Sequence, residues 1–361
     1  MTALHSSIWT AAASPRNWHA PAPGDSPVEF HRALPGYQPT PLVEVWDLAA
    51  ELAVERVLVK DESNRFGLPA FKILGASWAV ERALSDGDGG VTALVAATDG
   101  NHGRAVARLA AQRGLAARIF VPTGVHPAAV AAIEAEGATV TTVGDAYDSA
   151  VAAAVADVEG NGGLLVQDTA WPGYEQLPAW IVEGYTTMFV EIDEQLGDTA
   201  LDLLVVPVGV GSLAQAAVGH YRRPGIRHPP ALLSVEPERA ACLLRSLQRD
   251  EPVTVATSPT IMTGLCCETP SVAAWPYLRQ GLDAAVAVQD SEALAAAADL
   301  AAAGVPSGPC GAATLAAARR ALGNPEHRDA ELREHLGITA TSTVVLLSTE
   351  SRTANPHGGT S

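Results

Sequence analysis

Lysine occurs only twice in the 361 residues, as Lys60 in VLVKDES and Lys72 in FKILGAS, while every other cation apart from histidine is arginine. A chain that meets its need for surface charge with arginine has a chemical reason to keep a lysine. An amine can lose its proton and attack a carbonyl, whereas a guanidinium stays charged and cannot form a Schiff base. The apolar neighbours Phe71, Ile73 and Leu74 are expected to desolvate the Lys72 amine and favour its neutral, nucleophilic form. A surface lysine without chemistry is the alternative, so the partners that the rest of the chain supplies decide the matter.

Three loops offer partners. DLLVVPVGVGSLAQA runs from a continuous apolar segment through Gly209, Val210, Gly211 and Ser212 into a helix-forming stretch that opens with Leu213. Glycines let backbone N–H groups approach a phosphate, and a helix N-terminus adds favourable partial charge. No Gly-Lys-Ser/Thr follows and the GxGxxG spacing is absent, so a single phosphate is the expected ligand, with a tight turn as the plain alternative. In TALVAATDGNHGRAVA a strand ends at Thr98, Asp99, Gly100, Asn101 and His102. One Asp or Asn there serves as a helix cap, but the cluster of hydrogen-bonding side chains exceeds what a cap needs. LLVQDTAWPGYEQ places Asp168 and Trp171 at another strand end, where a cap is again the alternative.

These loops need a scaffold that brings strand ends together. Apolar runs at 56–60, 92–98, 116–121, 138–143, 164–168, 202–208, 231–237, 284–288 and 342–348 read as strands. Helical stretches follow them, among them one from near Lys72 and others at 127–136, 146–158, 177–196, 238–248, 291–303 and 309–322. Strands of unbroken Val, Leu and Ala, each followed by a helix, predict an α/β protein with parallel sheets covered on both faces. In such sheets ligands bind at the carboxyl ends of strands, where the three loops fall. Residues 1–36, rich in Pro and Ala without periodicity, read as an extended arm packed on the body or on an adjacent subunit.

Composition narrows the ligand. A formal net charge of −17 argues against nucleic acid and anionic membrane, because scattered arginines cannot assemble a basic face among so many acids. A small molecule is expected instead. The N-terminus lacks the pattern of a signal peptide and no run is long enough to span a bilayer, which predicts a cytoplasmic protein. Cys242, Cys266, Cys267 and Cys310 show no CxxC pairing, so neither a metal site nor a disulfide framework is expected, although Cys242 could pair with Cys266 or Cys267 under oxidation.

Taken in order, GYQPTPL, KDE-x₂-RFG-x₂-AFK, ATDGNHG, VQDTAWPGY, PVGVGS and VVLLSTES resemble the fold type II pyridoxal-phosphate enzymes, from about Gly36 to Thr353. RFG-x₂-AFK, TDGNHG, QDTAW and TIMTGLCCETP narrow the resemblance to the diaminopropionate ammonia-lyases within them. The resemblance implies a tryptophan synthase β-like fold with a large cofactor-binding domain (37–84 and 190–361), a small domain (85–189) and a homodimer. It also implies pyridoxal 5'-phosphate as cofactor. Lys72 becomes the Schiff-base lysine, Asn101 the partner of the ring oxygen, and Gly209, Val210, Gly211, Ser212 and Leu213 the phosphate loop. Thr349 matches the hydroxyl near the pyridine nitrogen, with Ser348 as the fallback. A neutral hydroxyl there does not hold the nitrogen protonated, which suits β-elimination over transamination.

The same resemblance places Thr98, Asp99, Gly100, His102 and Asp168 near an amino-acid substrate. It implies removal of the α-proton, departure of the β-ammonium, and hydrolysis of the product to pyruvate and a second ammonia. Asp99 is the expected base on the face of Cα opposite Lys72, and Asp168 the group that orients the β-amine. Pro309 and Cys310 stand where close relatives carry Glu-Ser, and Ser351-Arg352-Thr353 where they carry Gly-Asp-Thr, which leaves room for a divergent lyase. The alternatives are a serine or threonine dehydratase or β-replacement enzyme of the same fold, and a non-catalytic protein that retains the cofactor.

Overall fold

The computed structural model describes residues 7–354 apart from 22–23, 25, 88–89, 99, 145–146 and 324–329. Its strands are β1 (Ile8–Thr10), β2 (Leu42–Glu44), β3 (Arg56–Asp61), β4 (Ala93–Ala97), β5 (Ala116–Val121) and β6 (Thr139–Thr142). They continue as β7 (Leu164–Leu165), β8 (Leu203–Pro207), β9 (Ala231–Pro237), β10 (Ala284–Val288) and β11 (Thr343–Ser348). Seven of them form one sheet in the order β1-β10-β9-β8-β11-β3-β2, and four form a second in the order β6-β5-β4-β7. Pairing is parallel throughout the smaller sheet and antiparallel only at the two edges of the larger one. Every residue of β8, β9, β10 and β11 is buried, which is why these strands read as unbroken apolar runs.

The helix Ile73–Asp86 carries Lys72 at its N-cap and packs along the helix Gln176–Leu196. Two glycines set that contact. A Cβ on Gly184 would lie 2.5 Å from the Leu74 carbonyl oxygen, and one on Gly75 would lie 2.7 Å from that of Ile181. Any side chain at either place would push the helices apart and move Lys72 with them.

The second lysine has a structural task. Lys60, fully buried on β3, donates to the Thr40 carbonyl at 2.9 Å, to Glu191 at 2.7 Å and to the Gln195 side chain at 2.9 Å. Arg65 joins the cluster through Glu191 at 2.7 Å and Glu62 at 2.5 Å. Buried charges are tolerable only when paired and hydrogen-bonded in this way. The cluster fixes the segment from Thr40 to Arg65, and so anchors the loop that leads to Lys72.

The structure departs from the sequence reading in the arm, in the strand expected over 164–168 and in the helix expected over 238–248, among other places. The arm is not simply extended: Ile8–Thr10 adds an antiparallel edge strand against β10, and Val28–Ala33 is a short helix whose His31 bonds Thr187 at 2.7 Å. Elements of three and six residues are too short to show a period. The expected strand over 164–168 is confined to Leu164–Leu165, because the Ala97 N–H bonds the Gln167 side chain at 3.0 Å instead of a ladder carbonyl. The chain is thereby released to turn Asp168 into the cleft. The expected helix 238–248 is split at Ala241, which bridges to Cys267, and the following helix Cys242–Arg249 is capped by Glu236, accepting from the Leu243 and Leu244 N–H groups at 2.8 and 2.7 Å. Among the described residues no helix is long and apolar enough to cross a membrane.

Candidate active site

The carboxyl ends of β4 and β7 from one sheet and of β8 and β11 from the other face a single cleft, with about 850 Å³ of empty volume including its open mouth. Lys72, Thr98, Gly100, Asn101, His102 and Asp168 line one part of it. Gly209, Val210, Gly211, Ser212, Leu213 and Thr349 line another. The remaining expected residue, Asp99, lies outside the described residues.

Lys72 Nζ donates to Asp168 Oδ2 at 2.6 Å and lies 5.3 Å from the centre of the Phe71 ring and 5.9 Å from that of Tyr185. This corrects the expectation of a neutral amine. Burial does disfavour the ammonium, but the Asp168 carboxylate outweighs it and lifts Lys72 above the ordinary lysine range. The carboxylate responds in kind: burial pushes Asp168 up, while the Lys72 ammonium holds it down to about 2. Lys72 is therefore an ammonium paired with a carboxylate.

The glycine loop has the form a phosphate needs. Gly211, at φ +103°, occupies the left-handed region just before the helix Ser212–Tyr221, and a Cβ there would lie 2.7 Å from Leu278 Cδ1. A Cβ on Gly209 would lie 3.0 Å from the Gly264 carbonyl oxygen and 3.1 Å from Cys267 Sγ. The loop is tied down by the Ser271 N–H donating to the Val210 carbonyl at 2.8 Å. Ser212 Oγ donates to the Asp168 carbonyl at 2.6 Å, which fixes the loop and the acid relative to each other. No disulfide joins the four cysteines, and Cys242 Sγ lies 3.8 Å from the Gly209 carbonyl oxygen.

Each residue of the loop after β4 has separate work. Thr98 Oγ1 accepts from the Gly100 and Gly103 N–H groups at 2.9 and 3.1 Å, holding the turn that starts the helix Asn101–Arg113. Asn101 Nδ2 donates to Glu350 Oε2 at 2.6 Å. His102 Nε2 bonds the Val166 carbonyl at 2.7 Å, which makes that nitrogen the N–H and leaves Nδ1 a buried acceptor with no protein partner. Burial lowers the pKa of this ring, so it stays neutral. Thr349 follows β11, and its carbonyl accepts from the Phe71 N–H at 3.3 Å, while Ser348, buried in the strand, is not part of the cleft wall. Glu350, Tyr147, Cys267 and Cys310 also line the cleft and were not picked out from the sequence as site residues. Of these, Glu350 has the plainest sequence signal, its adjacency to Thr349 in LLSTES.

A lysine at the meeting of two parallel-stranded sheets, facing a glycine loop at a helix N-terminus, defines a class of cofactor-dependent α/β enzyme. The chain belongs to the pyridoxal-phosphate dependent enzymes, whose family model matches residues 33–347. It is 35% identical to the diaminopropionate ammonia-lyase of Salmonella typhimurium, over 92% of this chain and 89% of that protein. Its fold is similar to that of the Escherichia coli diaminopropionate ammonia lyase in complex with D-serine, with a TM-score of 0.86 and 31% identity over 96% of this chain and 94% of the other. The same E. coli enzyme, in complex with an aminoacrylate-PLP azomethine reaction intermediate, matches with a TM-score of 0.85 and 32% identity over the same shares of both chains. The cleft suits the family's cofactor: an amine, a loop whose missing Cβ atoms leave space for a phosphate, and polar groups at Asn101 and Thr349 stand around one space.

Proposed function

We propose that this chain is a carbon–nitrogen lyase that eliminates the β-amino group of 2,3-diaminopropionate, yielding pyruvate and two molecules of ammonia. The observation that carries the reading is the enclosed Asp168 carboxylate, held ionised 2.6 Å from an ammonium. A carboxylate so placed needs a cation. Once Lys72 is committed to the cofactor, the β-ammonium of diaminopropionate is a cation that can replace it, and the hydroxyl of serine or threonine is not.

Pyridoxal phosphate supplies an electron sink that makes loss of the α-proton feasible. The rest falls to the chain. Lys72 provides the attachment point and, when released, a base on its own face of Cα. Asp99 serves the opposite face, which admits the D-isomer. Asp168 orients the β-ammonium and keeps it protonated, so that the C–N bond breaks with its electron pair leaving on neutral ammonia. Gly209, Val210, Gly211, Ser212 and Leu213 hold the phosphate, Asn101 the ring oxygen and Thr349 the pyridine side. Thr98, Gly100 and His102 complete the substrate side, where the free His102 Nδ1 accepts a hydrogen from a substrate ammonium.

We further assign a cytoplasmic homodimer acting on a small amino acid. Cysteines without a disulfide suit a reducing compartment, and Trp46, 68% exposed beside β2, offers apolar surface for a second copy. The reaction is tested by supplying 2,3-diaminopropionate to the purified, cofactor-loaded protein. Two equivalents of ammonia per pyruvate are expected; no keto acid from either isomer would overturn the assignment.

A further inference from the structure

The loop after β11 contributes a carboxyl group that the reading above leaves without a task. Glu350 is buried, and its place is set from several sides. Its carbonyl accepts from the Gly308 N–H at 2.8 Å, its backbone bridges to Ala70, and its Cγ would lie 2.9 Å from a Cβ on Gly308. From that fixed base the side chain reaches the cleft and accepts from Asn101 Nδ2 at 2.6 Å, across 249 residues of sequence. Cys310 lies on its other flank. Burial and the Glu350 carboxylate keep that thiol well above its ordinary pKa and so protonated, a donor facing Glu350 as the Asn101 amide is.

An asparagine amide is nearly the same shape either way round, and only its partners decide whether nitrogen or oxygen faces a given group. Turned one way, Asn101 gives a hydrogen to the cofactor's ring oxygen. Turned the other, it offers a lone pair to an oxygen that also has only lone pairs to give. The Asn101 nitrogen is the group that faces Glu350, and a carboxylate oxygen in that place accepts, so it selects the nitrogen.

We propose that Glu350 is a positioning residue that fixes the Asn101 amide with its nitrogen toward the cofactor, one Nδ2 hydrogen bonded to Glu350 and the other left for the ring oxygen. The inference rests on the cofactor role assigned to Asn101. Glu350 acts on binding and on the electronics of the ring through Asn101, without touching substrate.

The test is the dissociation constant of pyridoxal phosphate, measured by titrating cofactor-free protein and following the visible band, for Asn101→Ala, Glu350→Leu, Glu350→Gln and the double variant Asn101→Ala with Glu350→Leu. Each single loss should weaken binding about tenfold, the scale of one hydrogen bond to a charged group. The double variant should be within about twofold of Asn101→Ala, because the two side chains act as one unit. Glu350→Gln keeps an acceptor oxygen and should recover binding to within about threefold of the parent, with the band maximum restored. Should Glu350→Leu fail to fold, Asn101→Asp carries the test: it sets two carboxyl groups against each other, and adding Glu350→Gln should tighten its cofactor binding at least about threefold. Losses that multiply in the double variant, or Glu350→Leu binding like the parent while Asn101→Ala is weak, would overturn the role of Glu350. No loss in Asn101→Ala would instead overturn the role of Asn101.

Discussion

Replacing Asp168 with asparagine keeps the side chain's shape and removes its charge, so the variant isolates what the carboxylate does for Lys72. In the parent, burial disfavours both charges, yet the pair at 2.6 Å lifts Lys72 above ordinary lysine and lowers Asp168 to about 2. Set against 3.8 for an ordinary aspartate, that depression means that the attraction exceeds the cost of burial by on the order of a few kcal/mol. Without the carboxylate the burial cost dominates at Lys72, and its pKa should drop by at least about 2 pH units, to below the ordinary 10.5. Only a neutral amine attacks a carbonyl. The rate at which cofactor-free protein takes up pyridoxal phosphate, followed by the visible band of the attached cofactor, therefore reports the titration. In the parent the rate should still be rising at about pH 10; in Asp168→Asn it should level off at least about 2 pH units lower. Turnover of diaminopropionate should nonetheless fall by a factor on the order of 10² or more, because the β-ammonium loses its partner. Identical pH profiles for uptake would refute the ion-pair account of Lys72.

Lys72→Arg should abolish the visible band of the attached cofactor on dialysed protein, since a guanidinium cannot bond the carbonyl carbon; a retained band would remove Lys72 from its role. Gly211→Val places a branched side chain at φ +103° and against Leu278, so cofactor retention should fall far more than in Ser212→Ala, which removes one hydrogen bond of about 1 kcal/mol. Equal cofactor affinity in Gly211→Val and the parent would sink the phosphate-loop reading. Asp99→Asn should cut turnover of D-diaminopropionate by a factor on the order of 10² or more while harming the L-isomer less; equal losses on both isomers would leave the lyase standing and remove the second base.

The parallel strands were legible because burial on both faces leaves a continuous apolar run, and β8, β9, β10 and β11 are buried throughout. The three-residue edge strands β1 and β2 were not, since a pairing so short needs no pattern of its own. The helix Trp275–Gly281, seven residues opening on Trp-Pro, escaped notice for the same reason. Lys72 stood out by its rarity, but its charge was misjudged. Its apolar neighbours are adjacent in sequence, whereas the carboxylate that overrides them is 96 residues away. Lys60 and Lys72 look alike as rare lysines, and only the fold separates a buried structural ammonium from one that opens onto a cleft. Glu350 was overlooked because an acid next to a chosen threonine shows no purpose until Asn101 is brought against it.

The claim that a buried anion selects a cationic β-substituent is tested most directly by kcat/KM of the cofactor-loaded parent for L-2,3-diaminopropionate and for L-serine under the same conditions. Loss of a buried ion pair of a few kcal/mol predicts a preference for diaminopropionate of about 10² or more. Equal values, or a preference for serine or threonine, would contradict the account and make the protein a dehydratase of the same fold.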